Sequence, residues 1–220
     1  NIIEKLVLDD QQKKTEEIYP NILKMIVMTT LNKEYWENRY KSDTANWDIG
    51  HISTPLKEYI DQLENKEIKI LIPGAGNAYE LDYLIEKGFH NVFVIDYAQQ
   101  PIDAIIKRNK SLEKHLICDD FFNHTESYDL IIEQTFFFAL YLHLREKYVL
   151  KMHDLLSEKG KIGGLLFNFP LTEVGPPFGG SHEEYVKLFS EKFTLKTLEP
   201  AYNSIKPRAN KELFFTFEKK

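Results

Sequence analysis

The chain predicts an α/β protein, a doubly wound parallel sheet with an antiparallel strand at its C-terminal end. Three observations lead there. Strand-like runs, "EIKILIP", "NVFVID", "HLIC", "YDLIIEQ" and "KIGGLLFNF", mostly alternate with helical stretches, the signature of parallel βαβ units. A glycine turn, "PGAGNA", joins the first strand to its helix. Near the end the rhythm breaks: "FTLKTLEP" and "KELFFTFEK" are separated only by the turn-like "AYNSIKPRAN", so they pair antiparallel.

Residues 1–27 are polar-rich and weakly periodic, and clear patterning begins at Met28. The expectation is an extension over 1–27 and one domain over 28–220, with a helix packed on the domain as the equal alternative for 1–27. "NKEYWENRYK" predicts a short helix. Thr54 and Pro55 predict the N-cap and first residue of the helix "PLKEYIDQLEN". After the first strand, "NAYELDYLIEKG" is a helix closed by Gly88, and "QPIDAIIKRNK" a helix opened by Pro101. "LREKYVLKMHDLLSEKG" predicts an amphipathic helix ended by Gly160, and "HEEYVKLFSEK" the last helix.

At 220 residues the chain suits one domain with a substantial core. Its formal net charge of −6, without a basic stripe, argues against a nucleic-acid surface. Cys118 is the only cysteine, which excludes an internal disulfide and fits a reducing cytoplasm. Its apolar neighbours in "HLIC" predict that it is buried. No apolar run is long enough to span a membrane. No coiled-coil heptad argues for assembly, so a monomer is expected.

The glycine turn carries the first chemical signal. Gly74 and Gly76 stand where backbone passes close to a ligand and a side chain would collide with it. Asp96 ends the next strand, 20 residues after Gly76, the spacing of an acid that accepts from both ribose hydroxyls. A dinucleotide fingerprint needs a third glycine at position 79, where this chain has Tyr79. That departure favours S-adenosylmethionine, adenosine with an amino-acid tail, over NAD. In "CDDFF", Asp120 can accept from the adenine amino group and Phe121 or Phe122 can pack on its ring.

"YDLIIEQTFFFAL" runs the fourth strand into an aromatic cluster and lacks the Asn/Asp-Pro-Pro-aromatic element of amino-group methylases. Phe137 and Phe138 are expected to wall a small dry pocket suited to a cationic sulfonium and a soft nucleophile. The seven histidines show no metal-ligand spacing. They are expected at the surface or at caps, no metal is predicted, and His51 and His182 are kept as remote candidates for moving a substrate proton.

"YWENRYKSDTANWDIG", "LIPGAGNAYE", "VIDYA", "DDFF", "YDLIIEQTFFFAL" and "GPPFGGSHEEY" follow the order and spacing of the thiopurine S-methyltransferase superfamily. The resemblance covers residues 33 to about 218 and looks closest to the thiol, thiocyanate and halide methyltransferase branch. It implies a seven-stranded, Rossmann-like class I methyltransferase fold with an N-terminal helical cover. It also implies that Trp36 and Trp47 close over the cofactor and that Tyr40 and Gln134 line it, Tyr40 standing where relatives often carry Trp. Glu133-Gln134 replaces an Asp-Tyr pair common in the family. Pro176, Pro177 and Phe178 are expected in a lid, with Phe178 facing a small-molecule acceptor. Two alternatives stay open, an NAD-linked oxidoreductase and a cofactor-binding sensor without turnover.

Overall fold

The computed structural model describes residues 31–42, 47–172 and 175–220. The expectation for residues 1–27 lies outside the described residues. Helix α1 (Lys33–Lys41) opens with Asn32, whose side chain accepts from the Tyr35 amide at 2.9 Å. Helix α2 (Thr54–Asp61) precedes strand β1 (Ile70–Pro73), and helix α3 (Tyr79–Glu86) leads to β2 (Val92–Asp96). Helix α4 (Gln99–Arg108), β3 (Leu116–Cys118) and β4 (Tyr128–Gln134) follow. Helix α5 (Arg145–Leu155), β5 (Leu156–Phe167), α6 (His182–Phe189), β6 (Phe193–Pro200) and β7 (Glu212–Lys219) complete the described elements.

The seven strands form one sheet in the order β3-β2-β1-β4-β5-β7-β6. The pairs β1·β2, β2·β3, β1·β4 and β4·β5 are parallel, whereas β7 runs antiparallel to both β5 and β6. The predicted class I sheet is therefore present, with β7 its single reversed strand.

Both faces of the sheet are covered, and the strand sequences show why. Ile70, Ile72, Val92, Val94, Leu130 and Ile132 pack with Leu56 and Ile60 of α2, Leu81 and Leu84 of α3, and Ile102 of α4. On the other face Leu71, Ile131 and Ile162 meet Tyr148 and Met152 of α5 and Tyr185 and Phe189 of α6. Strands buried on both sides need apolar residues at successive positions, which is how "ILI" and "LII" read. The strand order reverses between β1 and β4, and at such a switch point the C-terminal strand ends part to leave a crevice.

Four local expectations are corrected. Ser53, not Thr54, is the N-cap of α2, and its hydroxyl bonds the Gln134 side chain at 2.8 Å instead of capping. Helix α5 stops at Leu155, five residues before Gly160, because Leu156 is drawn into the sheet opposite Tyr128. Cys118 is exposed, since it ends the short edge strand β3, and its thiol donates to Gln99 Oε1 at 3.2 Å. His115 and His124 are buried rather than superficial: the first pairs with the Val92 carbonyl, the second with the Tyr128 hydroxyl, each at 2.7 Å.

Candidate active site

A cavity of about 450 Å³ opens at the C-terminal ends of β1, β2 and β4. All nine residues expected at a cofactor line it: Trp36, Tyr40, Trp47, Gly74, Gly76, Asp96, Asp120, Phe121 and Gln134. The glycine turn is shaped as its sequence requires. Gly74 has φ +79° and Gly76 φ +49°, in the left-handed region where side chains are strained. A Cβ on Gly74 would also lie 3.0 Å from the Phe136 ring.

Asp96 is held before any ligand arrives. The amides of Ala75 and Ala98 donate to its two oxygens at 2.9 and 2.8 Å. Each oxygen keeps a lone pair for a ribose hydroxyl. Burial raises its pKa, and the backbone amides of Ala98, Ala75 and Tyr97 oppose that shift. Asp120 is exposed at the end of the crevice and accepts from the Phe122 amide at 2.8 Å. Phe121 is buried edge-on to Phe136.

The cover comes from α1 and the loop after it. Trp36 and Tyr40 both pack edge-on to Trp47, with ring centroids 5.5 and 5.6 Å away. Burial beside Asp96 raises the pKa of the Tyr40 hydroxyl strongly, and the Gly76 backbone opposes the shift. Two tyrosines fasten the start of the cover: Leu31 N–H donates to Tyr141 Oη at 2.8 Å, and Tyr97 Oη donates to the Leu31 carbonyl at 3.1 Å.

The acceptor side departs from expectation. Phe138 lines the cavity, but Phe137 and Phe178 do not. Successive residues of the tight turn cannot face one way. Phe136 and Phe138 point into the cavity, and Phe137 turns into the core against Tyr148, Tyr185 and Phe189. Phe178 is buried behind the wall, its amide donating to the Phe138 carbonyl at 3.3 Å. The cavity is reached instead by Pro176 and Pro177 of the same loop. His51 and His182 are not among its lining residues.

Residues without a sequence signal complete the site. Arg208, in the β6–β7 loop, lines the cavity, donates to the Trp47 carbonyl at 2.9 Å and faces Glu212 at 3.4 Å. Glu80, in the first turn of α3, lines it as well, and burial pushes its carboxyl up to about 7. The Gln134 amide joins the two. With its nitrogen toward the carboxylate it donates to Glu80 Oε1 at 3.2 Å and Ser53 Oγ at 2.8 Å, and its oxygen accepts from Arg208 at 3.3 Å. The opposite orientation would oppose like atoms on both sides. Arg145 clamps the loop from outside, donating to the carbonyls of Phe178 and Gly179 at 3.1 and 2.8 Å and pairing with Glu184. Glu133, buried behind the turn, accepts from Phe137 N at 3.0 Å and Tyr148 Oη at 2.6 Å.

The crevice fits an adenosine with a charged tail: a braced carboxylate for the ribose, an aromatic edge beside Asp120, and aromatic walls beyond. Fold and cavity together define a class I, S-adenosylmethionine-dependent methyltransferase. The chain belongs to the thiopurine S-methyltransferase family, whose model matches residues 31–219. A probable thiol methyltransferase 2 of Arabidopsis thaliana is 25% identical over 159 residues, 70% of each chain. A thiopurine S-methyltransferase of Aliivibrio salmonicida is 24% identical, covering 83% of this chain and 94% of its own. Among solved structures, the Burkholderia thailandensis 1,6-didemethyltoxoflavin-N1-methyltransferase with bound S-adenosylhomocysteine superposes with a TM-score of 0.68. That match is 16% identical and covers 86% of this chain and 88% of the other. TehB from Haemophilus influenzae gives 0.60 at 17% identity, covering 84% and 67%. The cofactor is thus S-adenosylmethionine, and the NAD alternative falls away.

Proposed function

We propose that this enzyme methylates a small, soft nucleophile, foremost a thiol, at the aromatic end of the cavity. The observation that carries the reading is the make-up of that end. Phe136, Phe138, Leu140, Tyr141 and Phe167 wall it, Arg208 supplies a cation, and among the described residues no histidine or lysine lines it. A pocket without such a base suits an acceptor that arrives ionised, as a thiol does in part near neutral pH.

When bound, the cofactor supplies an electrophilic methyl group on a sulfonium sulfur. In this reading Asp96 holds its ribose, Asp120 and Phe121 its adenine, and Gly74 and Gly76 leave room for the tail. Trp36, Tyr40, Trp47 and Gln134 close over it. Phe136 and Phe138 offer ring faces to positive charge and keep water from the reacting centres. Arg208 draws an anionic acceptor inward and holds it in line. The names of the plant and bacterial relatives support a sulfur acceptor. Thiocyanate, bisulfide and halides share the same chemistry.

We further take residues 28–220 as the catalytic unit and 1–27 as an extension, acting as a cytoplasmic monomer. Among the described residues no helix is long and apolar enough to cross a membrane. The test is a screen for transfer of labelled methyl from S-adenosylmethionine to thiols, bisulfide, thiocyanate, iodide and amines. Sulfur acceptors should be methylated. Transfer to amines alone would overturn the soft-nucleophile reading, and cofactor binding without any transfer would leave a sensor.

A further inference from the structure

Glu133, the last residue but one of β4, is fully buried and takes no part in the cavity wall. One carboxylate oxygen accepts from Phe137 N at 3.0 Å and the other from Tyr148 Oη at 2.6 Å. Among the described residues no cation pairs with it. The Arg145 guanidinium packs over the Phe137 ring at 4.6 Å and pairs with Glu184. An acid held only by neutral donors weakens a core that an apolar side chain of like volume would serve better.

The backbone beside it is strained. Thr135 has φ +66°, a left-handed conformation unfavourable for a β-branched residue. Such a conformation persists where surrounding contacts over-determine it. The Thr135 hydroxyl donates to the Gln134 carbonyl at 2.6 Å, on one side of the turn. Glu133 grips the other side through Phe137 N. This turn decides which rings reach the cavity: Phe136 and Phe138 line it, while Phe137 packs on Tyr148 with ring centroids 5.0 Å apart. Tyr148 also lies 6.4 Å from the Phe136 ring. Glu133 therefore ties the turn's backbone and the ring beneath it to one strand end. We propose that Glu133 is a positioning residue for methyl transfer, holding the strained 135–138 turn so that Phe136 and Phe138 face the reacting centres. It touches neither ligand and acts through those two rings. The inference rests on the acceptor site proposed above and adds what shapes it.

The experiment compares wild type, Glu133→Gln, Glu133→Met and Tyr148→Phe as full chains. Thiophenol is the acceptor, and calorimetry with S-adenosylhomocysteine runs alongside. Glu133→Gln keeps an oxygen for Phe137 N, so kcat and acceptor KM should stay within about threefold of wild type. Glu133→Met fills the same space without an acceptor. It should lower kcat/KM for thiophenol about 10- to 100-fold, the scale of a misplaced reacting group, and leave S-adenosylhomocysteine affinity within about threefold. Tyr148→Phe releases the second carboxylate oxygen but keeps the ring, and should raise acceptor KM about three- to tenfold. Three results would overturn the assignment: wild-type kinetics in Glu133→Met, an equal loss in Glu133→Gln, or cofactor affinity falling as far as kcat/KM. Should Glu133→Met fail to fold, Tyr148→Phe decides, and an unchanged acceptor KM would reject the role. A wild type that binds S-adenosylhomocysteine but methylates no thiol would remove the acceptor reading itself, a distinct failure.

Discussion

The two ends of the cavity are built in different ways. The adenosine end is made by strand termini and the turns that leave them. Asp96 is braced by Ala98, two residues away, and by Ala75 on the neighbouring strand's turn. In the proposed reading the acceptor end is assembled from residues far apart in the chain: Phe136, Phe138, Leu140 and Tyr141, then Phe167, Pro176, Pro177 and Arg208. Arg208 reaches the Trp47 carbonyl across 161 positions. In that reading a locally encoded cradle holds the adenosine of the cofactor, and docked loops shape the pocket that takes the acceptor.

That division is testable, since damage at one end should spare the other. Asp96→Ala should have the largest effect, weakening S-adenosylhomocysteine by about 100-fold, because hydrogen bonds to a charged group are worth about 1.5–3 kcal/mol each. Calorimetry reads this directly, and an unchanged affinity would remove the ribose assignment. Arg208→Ala should raise the acceptor KM about 10-fold or more, the loss of one charge-assisted contact, and weaken the cofactor by a smaller factor through the Trp47 and Gln134 contacts it also makes. Parallel changes in both constants would show that the ends are not separable.

Phe137→Leu sharpens the boundary from the core side. It should cost about 1–1.5 kcal/mol in denaturant-midpoint stability, the usual penalty for a hydrophobic swap in a packed core, with acceptor KM unchanged. A raised KM at full stability would return Phe137 to the pocket wall.

The smallest effect concerns pH. Burial lifts the Glu133 carboxyl from 4.5 to about 7. A carboxyl raised on folding binds its proton more tightly in the native state. Its stabilising contribution is therefore full below pH 4.5 and is lost as pH rises through about 7. Relative to Glu133→Gln, which mimics the protonated group, wild type should lose stability across that window, at a slope on the order of 1 kcal/mol per pH unit. Parallel stability curves would mean that Glu133 does not titrate there.

The same contrast explains what the sequence disclosed. "YDLIIEQ" and "FTLKTLEP" became β4 and β6 without a residue's error, because apolar runs bounded by turn residues are local patterns. Gly74, Gly76 and Asp96 were legible because a turn and its spacing are local too. Trp36, Tyr40 and Trp47 could be placed only through family resemblance, as no spacing joins a helix to the loop that covers it. Phe137 and Phe178 were misplaced because composition marks an aromatic cluster but not which ring of a tight turn faces inward. Leu156 was taken for helix because its partner, Tyr128, lies in another element. Arg208 left no trace in "KPRAN", and Glu80 reads in sequence as an ordinary acid favouring a helix N-terminus.

The central claim, that the docked loops form a pocket for an ionised sulfur, is tested most directly by one matched pair. Initial rates of methyl transfer to an aromatic thiol and to the corresponding phenol should be measured with S-adenosylmethionine saturating. The account predicts saturable methylation of the thiol at a rate at least about 100-fold above the phenol, because the thiol is ionised near neutral pH and, among the described residues, no lining histidine or lysine activates the oxygen. Equal rates, or transfer to the phenol alone, would contradict it.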